Sequence, residues 1–154
     1  MFMQIVISSF ERSSVRYALV GGYAVAMHGA LRGTVDVDFI LEWDLDNLKK
    51  AVQILESLSL QSRIPLKAEE VYEFKDEYIE KRNLIAWGFI NPGNPTEQVD
   101  LVITHDLRDM KTQRLKKPFP LTILTIDDLI SMKRDGGRPQ DIADIQALEK
   151  IKGS

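Results

Sequence analysis

Residues 17–41 read YALVGGYAVAMHGALRGTVDVDFIL, and the rest of the chain is organised around them. Tyr17 to Val20 is a β-prone run that ends at the pair Gly21-Gly22. Gly22 to Gly29 reads as a helix of small residues, with Ala24 and Ala26 permitting close packing. Arg32 to Thr34 is a loop, and Val35 to Leu41 a second strand. Alternate strand residues point to opposite faces, so Asp36 and Asp38 are expected to project together, away from Val37 and Phe39. Close like charges repel, and a cation between them relieves the repulsion. Glycines beside paired aspartates therefore suggest a phosphate-and-metal site.

The bulk properties narrow the setting. At 154 residues the chain suits a single domain with a real core. An apolar fraction of 44% and a charged fraction of 28% are those of an ordinary soluble protein. A net charge of −3 argues against a general nucleic-acid footprint, though not against a local basic patch. There is no cysteine, hence no disulfide or thiolate metal site. The opening MFMQIVISSF has no basic leader or small-residue cleavage site, and no apolar run reaches membrane-spanning length. The expected location is the cytoplasm, away from any membrane.

Further elements follow from periodicity. Residues 2–16 suit a short helix with Glu11, Arg12 and Arg16 on its wet side. Asp44 to Leu60 carries Leu45, Leu48, Ala51, Val52, Leu55 and Leu58 on one helical face, with Asp44 as N-cap. Glu69 to Tyr78 is helix-compatible. Asn83 to Ile90 and Gln98 to Thr104 read as neighbouring strands joined by the turn Asn91-Pro92-Gly93-Asn94-Pro95. Asp106 to Gln113 is expected to be a short helix and Leu121 to Thr125 a strand. Thr125 to Asp128 resembles a capping box opening a helix that Gly136-Gly137 breaks; Pro139 suits the first turn of the next helix. The expected fold is α+β, a small mixed central sheet with flanking helices and a C-terminal helical pair.

Asp100 is the third carboxylate of interest. It lies opposite Val99, Leu101 and Ile103 on a strand with two mostly apolar faces, where an aspartate needs a partner or a metal. If that strand adjoins Val35 to Leu41, three hard oxygen ligands converge on magnesium or manganese. Taken alone, Asp-x-Asp also fits a solvent-facing strand, and a glycine pair a plain turn; the ordered set carries the functional reading. In the last two helices Lys133 and Asp141 fall within apolar faces, while Asp144 falls nearer an edge. That arrangement fits either a Lys133–Asp141 ion pair or a lysine that contacts a nucleotide phosphate while Asp141 orients it. His28 and His105 read as structural or exposed. Arg108, Lys111, Arg114, Lys116 and Lys117 form a loose basic segment on a solvated face.

At these residues the chain resembles the nucleotidyltransferase superfamily with the DNA polymerase beta type of core. The pattern runs Gly21-Gly22, thirteen intervening residues, Asp36-Val37-Asp38, then Asp100. It looks most like the minimal bacterial proteins related to AbiEii-type toxins, through GGYAVAMHG, the Arg32, Thr34, Asp36, Asp38 element, and DLISMKRDGGRPQDIADIQAL. The resemblance implies metal-dependent transfer of a nucleoside monophosphate from an NTP to a hydroxyl of tRNA or protein. It implies that Asp36, Asp38 and Asp100 are catalytic and hold magnesium (or manganese). It also implies nucleotide-binding roles for Gly21, Gly22, Arg32, Thr34, Lys133 and Asp141. A binding module of the same fold without chemistry is the alternative.

Overall fold

The computed structural model describes residues 1–154. Its order is α1 (Phe2–Arg12), β1 (Tyr17–Val20), α2 (Gly21–Met27), β2 (Val37–Leu41), α3 (Leu45–Ser57), β3 (Gln61–Ser62), α4 (Ala68–Glu73) and α5 (Lys75–Arg82). Then come β4 (Ala86–Asn91), β5 (Asn94–Val102), a 3-10 turn (Leu107–Asp109), β6 (Thr112–Leu115), β7 (Leu121–Leu124), α6 (Ile126–Gly136) and α7 (Pro139–Lys152). The strands form one sheet in the order β3-β4-β5-β2-β1-β7-β6. Two pairings are parallel, β2 with β5 and β1 with β7, and the rest are antiparallel. The expected mixed sheet and C-terminal helical pair are both present.

Alternation decides which face carries what. Val37, Phe39, Trp87, Phe89, Val99 and Leu101 are all buried, and register pairs Val37 with Val99, Phe39 with Leu101, Leu101 with Trp87 and Val99 with Phe89. These form the apolar face of the sheet. Helix α1 closes it, its Phe10 ring meeting Phe39 at 5.1 Å and Tyr17 at 5.6 Å. In α3, Leu48, Ala51 and Leu55 are buried, as the helical spacing requires. Asp44 caps α3 by accepting from Asn47 N at 3.1 Å. Buried Asn47 accepts from Arg16 N and donates to the carbonyls of Arg16 and Glu42, tying α3 to the entrance of β1 and the exit of β2.

Several boundaries differ from expectation. The second strand starts at Val37, so Asp36 lies in the preceding loop and does not share a pleated face with Asp38. The segment 106–113 is no α-helix; a 3-10 turn capped by Asp106 gives way to edge strand β6. Residues 69–78 divide between α4 and α5, and Asn83, expected in a strand, ends α5 in the left-handed region at φ 52°. The expected closing helices stand, with Thr125 capping α6 through Asp128 N at 3.4 Å and Gly137 terminating it at φ 65°. No helix is long and apolar enough to cross a membrane.

Candidate active site

The face of the sheet opposite the apolar one carries a row of residues across four strands. Register aligns Val20 with Asp38, Asp38 with Asp100, and Asp100 with Gly88. Neighbouring strands lie roughly 4.8 Å apart, so the two aspartates stand side by side with little between them. Glycine sits at both ends of this pair. Gly21, immediately after Val20, has φ +70°, and a Cβ built there would overlap the Asp38 carboxyl. Gly88 is the other, where a Cβ would lie 3.1 Å from Asp100 Oδ1.

Electrostatics follow from this crowding. Burial, then the adjacent Asp100 and the more distant Asp36, push the Asp38 carboxyl well above the usual carboxylate range, against a smaller pull from Lys133. Asp100 is raised by burial and by Asp36, and is eased downward by its hydrogen bond with Asp38 and by the positive charge of Arg63. Two full negative charges at this spacing repel, so the crowded pair favours holding a proton between them. Asp36 acts on both acids from the loop, yet no three or more His, Asp or Glu side chains are gathered closely enough to chelate an ion by themselves. Magnesium is commonly held by one or two carboxylates plus phosphate oxygens and water. Asp38 and Asp100 fit that donor set.

The nucleotide-side candidates assemble around an additional residue. Asp144 is 2% exposed; it accepts from Arg32 Nε at 2.9 Å and Gln140 Nε2 at 3.0 Å. Its Oδ2 faces the Lys133 ammonium at 2.8 Å, off-line enough to be an ion pair without an aligned hydrogen bond. Asp141 is 3.8 Å from Lys133 and spends its oxygens on Arg138, whose N and Nε it accepts at 3.2 and 3.0 Å. The closer partner of Lys133 is therefore Asp144. Burial would raise the carboxyl of Asp144, but the Lys133 ammonium beside it and the hydrogen bonds from Arg32 and Gln140 outweigh that and hold it low.

Arg32 and Thr34 fold back over Gly22, where a Cβ would sit 3.1 Å from Arg32 Cζ and 2.9 Å from Thr34 Cβ. The structure thus gathers Gly21, Asp38 and Asp100 in one row, Gly22, Arg32 and Thr34 in one corner, and Lys133 with Asp141 at the start of α7. Asp144 links the last two groups. His28 is elsewhere, its Nε2 2.8 Å from the Leu124 carbonyl, and His105 pairs with Thr104 Oγ1 at 2.9 Å. In the basic segment, Arg108 pairs with Asp106 and Arg114 with Glu11. Asp144 had a readable signal, since it stands three residues from Asp141 on the same helical face. Arg63 had none, because only the pairing of β3 with β4, continued by Arg63 N donating to the Gly88 carbonyl, brings it here.

No protein-family model and no curated protein matches the sequence. Solved structures do match. The lincosamide antibiotic adenylyltransferase LnuA, lincomycin-bound, superposes with a TM-score of 0.67 at 16% identity, over 97% of this chain and 96% of that one. The fold is that of the nucleotidyltransferases. ANT(2'')-Ia in complex with adenylyl-2''-tobramycin shares this nucleotidyltransferase fold at a TM-score of 0.61 and 11% identity, over 97% of this chain and 90% of that one. An antigenic nucleotidyltransferase-like protein from Paracoccidioides brasiliensis matches with a TM-score of 0.55 and 17% identity, over 96% of this chain and 74% of that one.

Proposed function

We propose that the protein transfers a nucleoside monophosphate from an NTP to a hydroxyl acceptor, with Asp38 and Asp100 holding magnesium or manganese and Asp36 supporting them. The acceptor is an RNA or protein hydroxyl, as in toxin–antitoxin and related systems, and the setting is the cytoplasm. One observation carries the reading: two crowded acids in register on adjacent strands, flanked by bare glycine backbone, in a nucleotidyltransferase fold.

In this reaction the acceptor oxygen bonds to the α-phosphorus, the bond from that phosphorus to the α,β-bridging oxygen breaks, and pyrophosphate leaves. The bound metal supplies charge neutralisation and a more acidic acceptor hydroxyl. Gly21 and Gly22 let Asp38, Arg32 and Thr34 close in on the start of α2, where the triphosphate is bordered by Arg32, Thr34 and Lys133, while Asp141 and Asp144 hold the cations in place. Asp100 receives the hydroxyl proton at its carboxylate.

The test is incubation with α-labelled NTP and magnesium, with tRNA or cell protein as acceptor. Label is expected on one of them and absent with Asp38→Asn or Asp100→Asn. Labelling that persists unchanged in the Asp38→Asn, Asp100→Asn double variant would overturn the mechanism.

A further inference from the structure

The row of acids has two unlike ends. At one end Gly21 is followed by Gly22, Arg32 and Lys133. At the other, Gly88 carries the Arg63 side chain across its bare backbone: a Cβ there would lie 2.9 Å from Arg63 Cδ and 3.3 Å from its Nε. Arg63 N also donates to the Gly88 carbonyl at 2.9 Å, pinning the residue to the strand edge. Its Nη2 donates to Gln98 Oε1 at 2.8 Å, and Gln98 is held in turn by donating to the Pro95 carbonyl at 2.8 Å. The guanidinium is thereby oriented with most of its five donors free.

The cations around the site differ in one respect. Arg32 and Lys133 are ion-paired to Asp144, and Arg138 is paired to Asp141. Arg63 has no carboxylate within 4.0 Å. In-line displacement places the incoming hydroxyl opposite the departing pyrophosphate. With the triphosphate at the Gly21 end, the hydroxyl arrives over Gly88, under Arg63. We infer that Arg63 is an acceptor-binding residue, and that the acceptor carries a phosphate near the hydroxyl that attacks. This rests on the nucleotide-transfer step proposed above, independently of the acceptor class named there, and adds to it the charge of the acceptor. A fork of N–H donors fits a phosphate's oxygens and repels a polycationic acceptor. A free sugar or polyol phosphate and the end of an RNA share this chemistry.

The test is calorimetric titration of the full chain, saturated with magnesium and α,β-methylene ATP. The probes are glycerol 3-phosphate, glycerol, tobramycin and a short oligoribonucleotide with a free 3′ hydroxyl. Arg63→Gln is expected to weaken glycerol 3-phosphate roughly tenfold or more, the effect of losing a charge-assisted hydrogen bond. Arg63→Lys should restore part of that loss, glycerol should bind weakly and equally to all three proteins, and the nucleotide Kd should not move. Oligoribonucleotide binding that is tighter and falls steeply with salt identifies an RNA acceptor; glycerol 3-phosphate binding as tightly identifies a small phosphate. Either result supports the assignment. Equal binding of glycerol 3-phosphate to wild type and Arg63→Gln overturns it, as does tight binding of tobramycin. Loss of nucleotide affinity in Arg63→Gln would place Arg63 on the wrong side of the site. Failure of wild type to bind the magnesium–nucleotide complex at all would instead overturn the transfer reading, and Arg63's role with it.

Discussion

Gly21 shows how much one missing side chain decides. Its left-handed φ of +70° costs a substituted residue about 1–2 kcal/mol, and overlap with Asp38 adds roughly 1–3 kcal/mol of overpacking. Gly21→Ala should therefore lower stability clearly in urea melts and abolish labelling. Gly33→Ala, where nothing lies within 4 Å, should stay within about 0.5 kcal/mol of wild type. Asp144 makes the complementary case, since both it and Lys133 are buried. Asp144→Ala leaves Lys133 with only the distant Asp141, and removing one partner of such a buried pair costs about 3–5 kcal/mol. Denaturant titration checks this; a loss under about 1 kcal/mol would mean that Lys133 finds another partner or solvent. At this scale the sequence was readable for Asp100, since an aspartate on a strand with two apolar faces needs an explanation, whereas Asp38 was singled out for a shared strand face with Asp36 and in fact stands beside Asp100 across the sheet. It was not readable for Arg63, whose importance comes from a bare strand partner with no local signature.

Among the elements, legibility followed length and periodicity. Helices α3, α6 and α7 were anticipated because each offers several turns of patterned residues and a cap or breaker. Strand β3 has two residues and β6 four mostly exposed ones, too few for alternation to register. The start of β2 was misplaced because Val35 is β-prone but exposed, with no neighbour to pair with. The loop before it carries Arg32, Thr34 and Asp36, and its shape is set by Gly22 and Asp144 from other elements. Asn47 joins elements in the same way. Asn47→Ala strands the Arg16 N–H, while the carbonyls of Arg16 and Glu42 each lose one donor but keep Glu42 N and Asp44 N, so a destabilisation of about 1–3 kcal/mol is expected in thermal or urea melts. Asp44→Ala, which removes only the cap of α3, should cost about 1 kcal/mol.

For the molecule as a whole, the acid pair links stability to pH and metal. Both carboxyls have folded values above their unfolded ones. Their contribution is complete below about pH 4, where an unfolded aspartate is still protonated, and is lost as pH rises through the raised folded values. Asp141, Asp144 and Glu11 work the other way, being held low in the fold, so they stabilise at neutral pH and lose that as acid protonates them. The two trends separate by comparison. In EDTA, the melting temperature of Asp38→Asn minus that of wild type should grow from about pH 4 towards neutral pH, making the inactive variant the more stable protein. Magnesium or manganese should shrink that difference by replacing the shared proton. Parallel profiles, with and without metal, would show that the pair is not strained.

The parallel pairing of β2 with β5 has a consequence in time. Asp38 and Asp100 meet only after the chain has run through α3, β3, α4, α5 and β4, so their contact closes one of the longer loops in the fold. An ion or nucleotide that requires both acids can bind only to chains that have completed that closure. Folding intermediates with β1 and β2 alone would be invisible to it. A ligand of this site therefore acts as a late checkpoint on assembly, pulling finished molecules out of the refolding population without speeding the earlier steps.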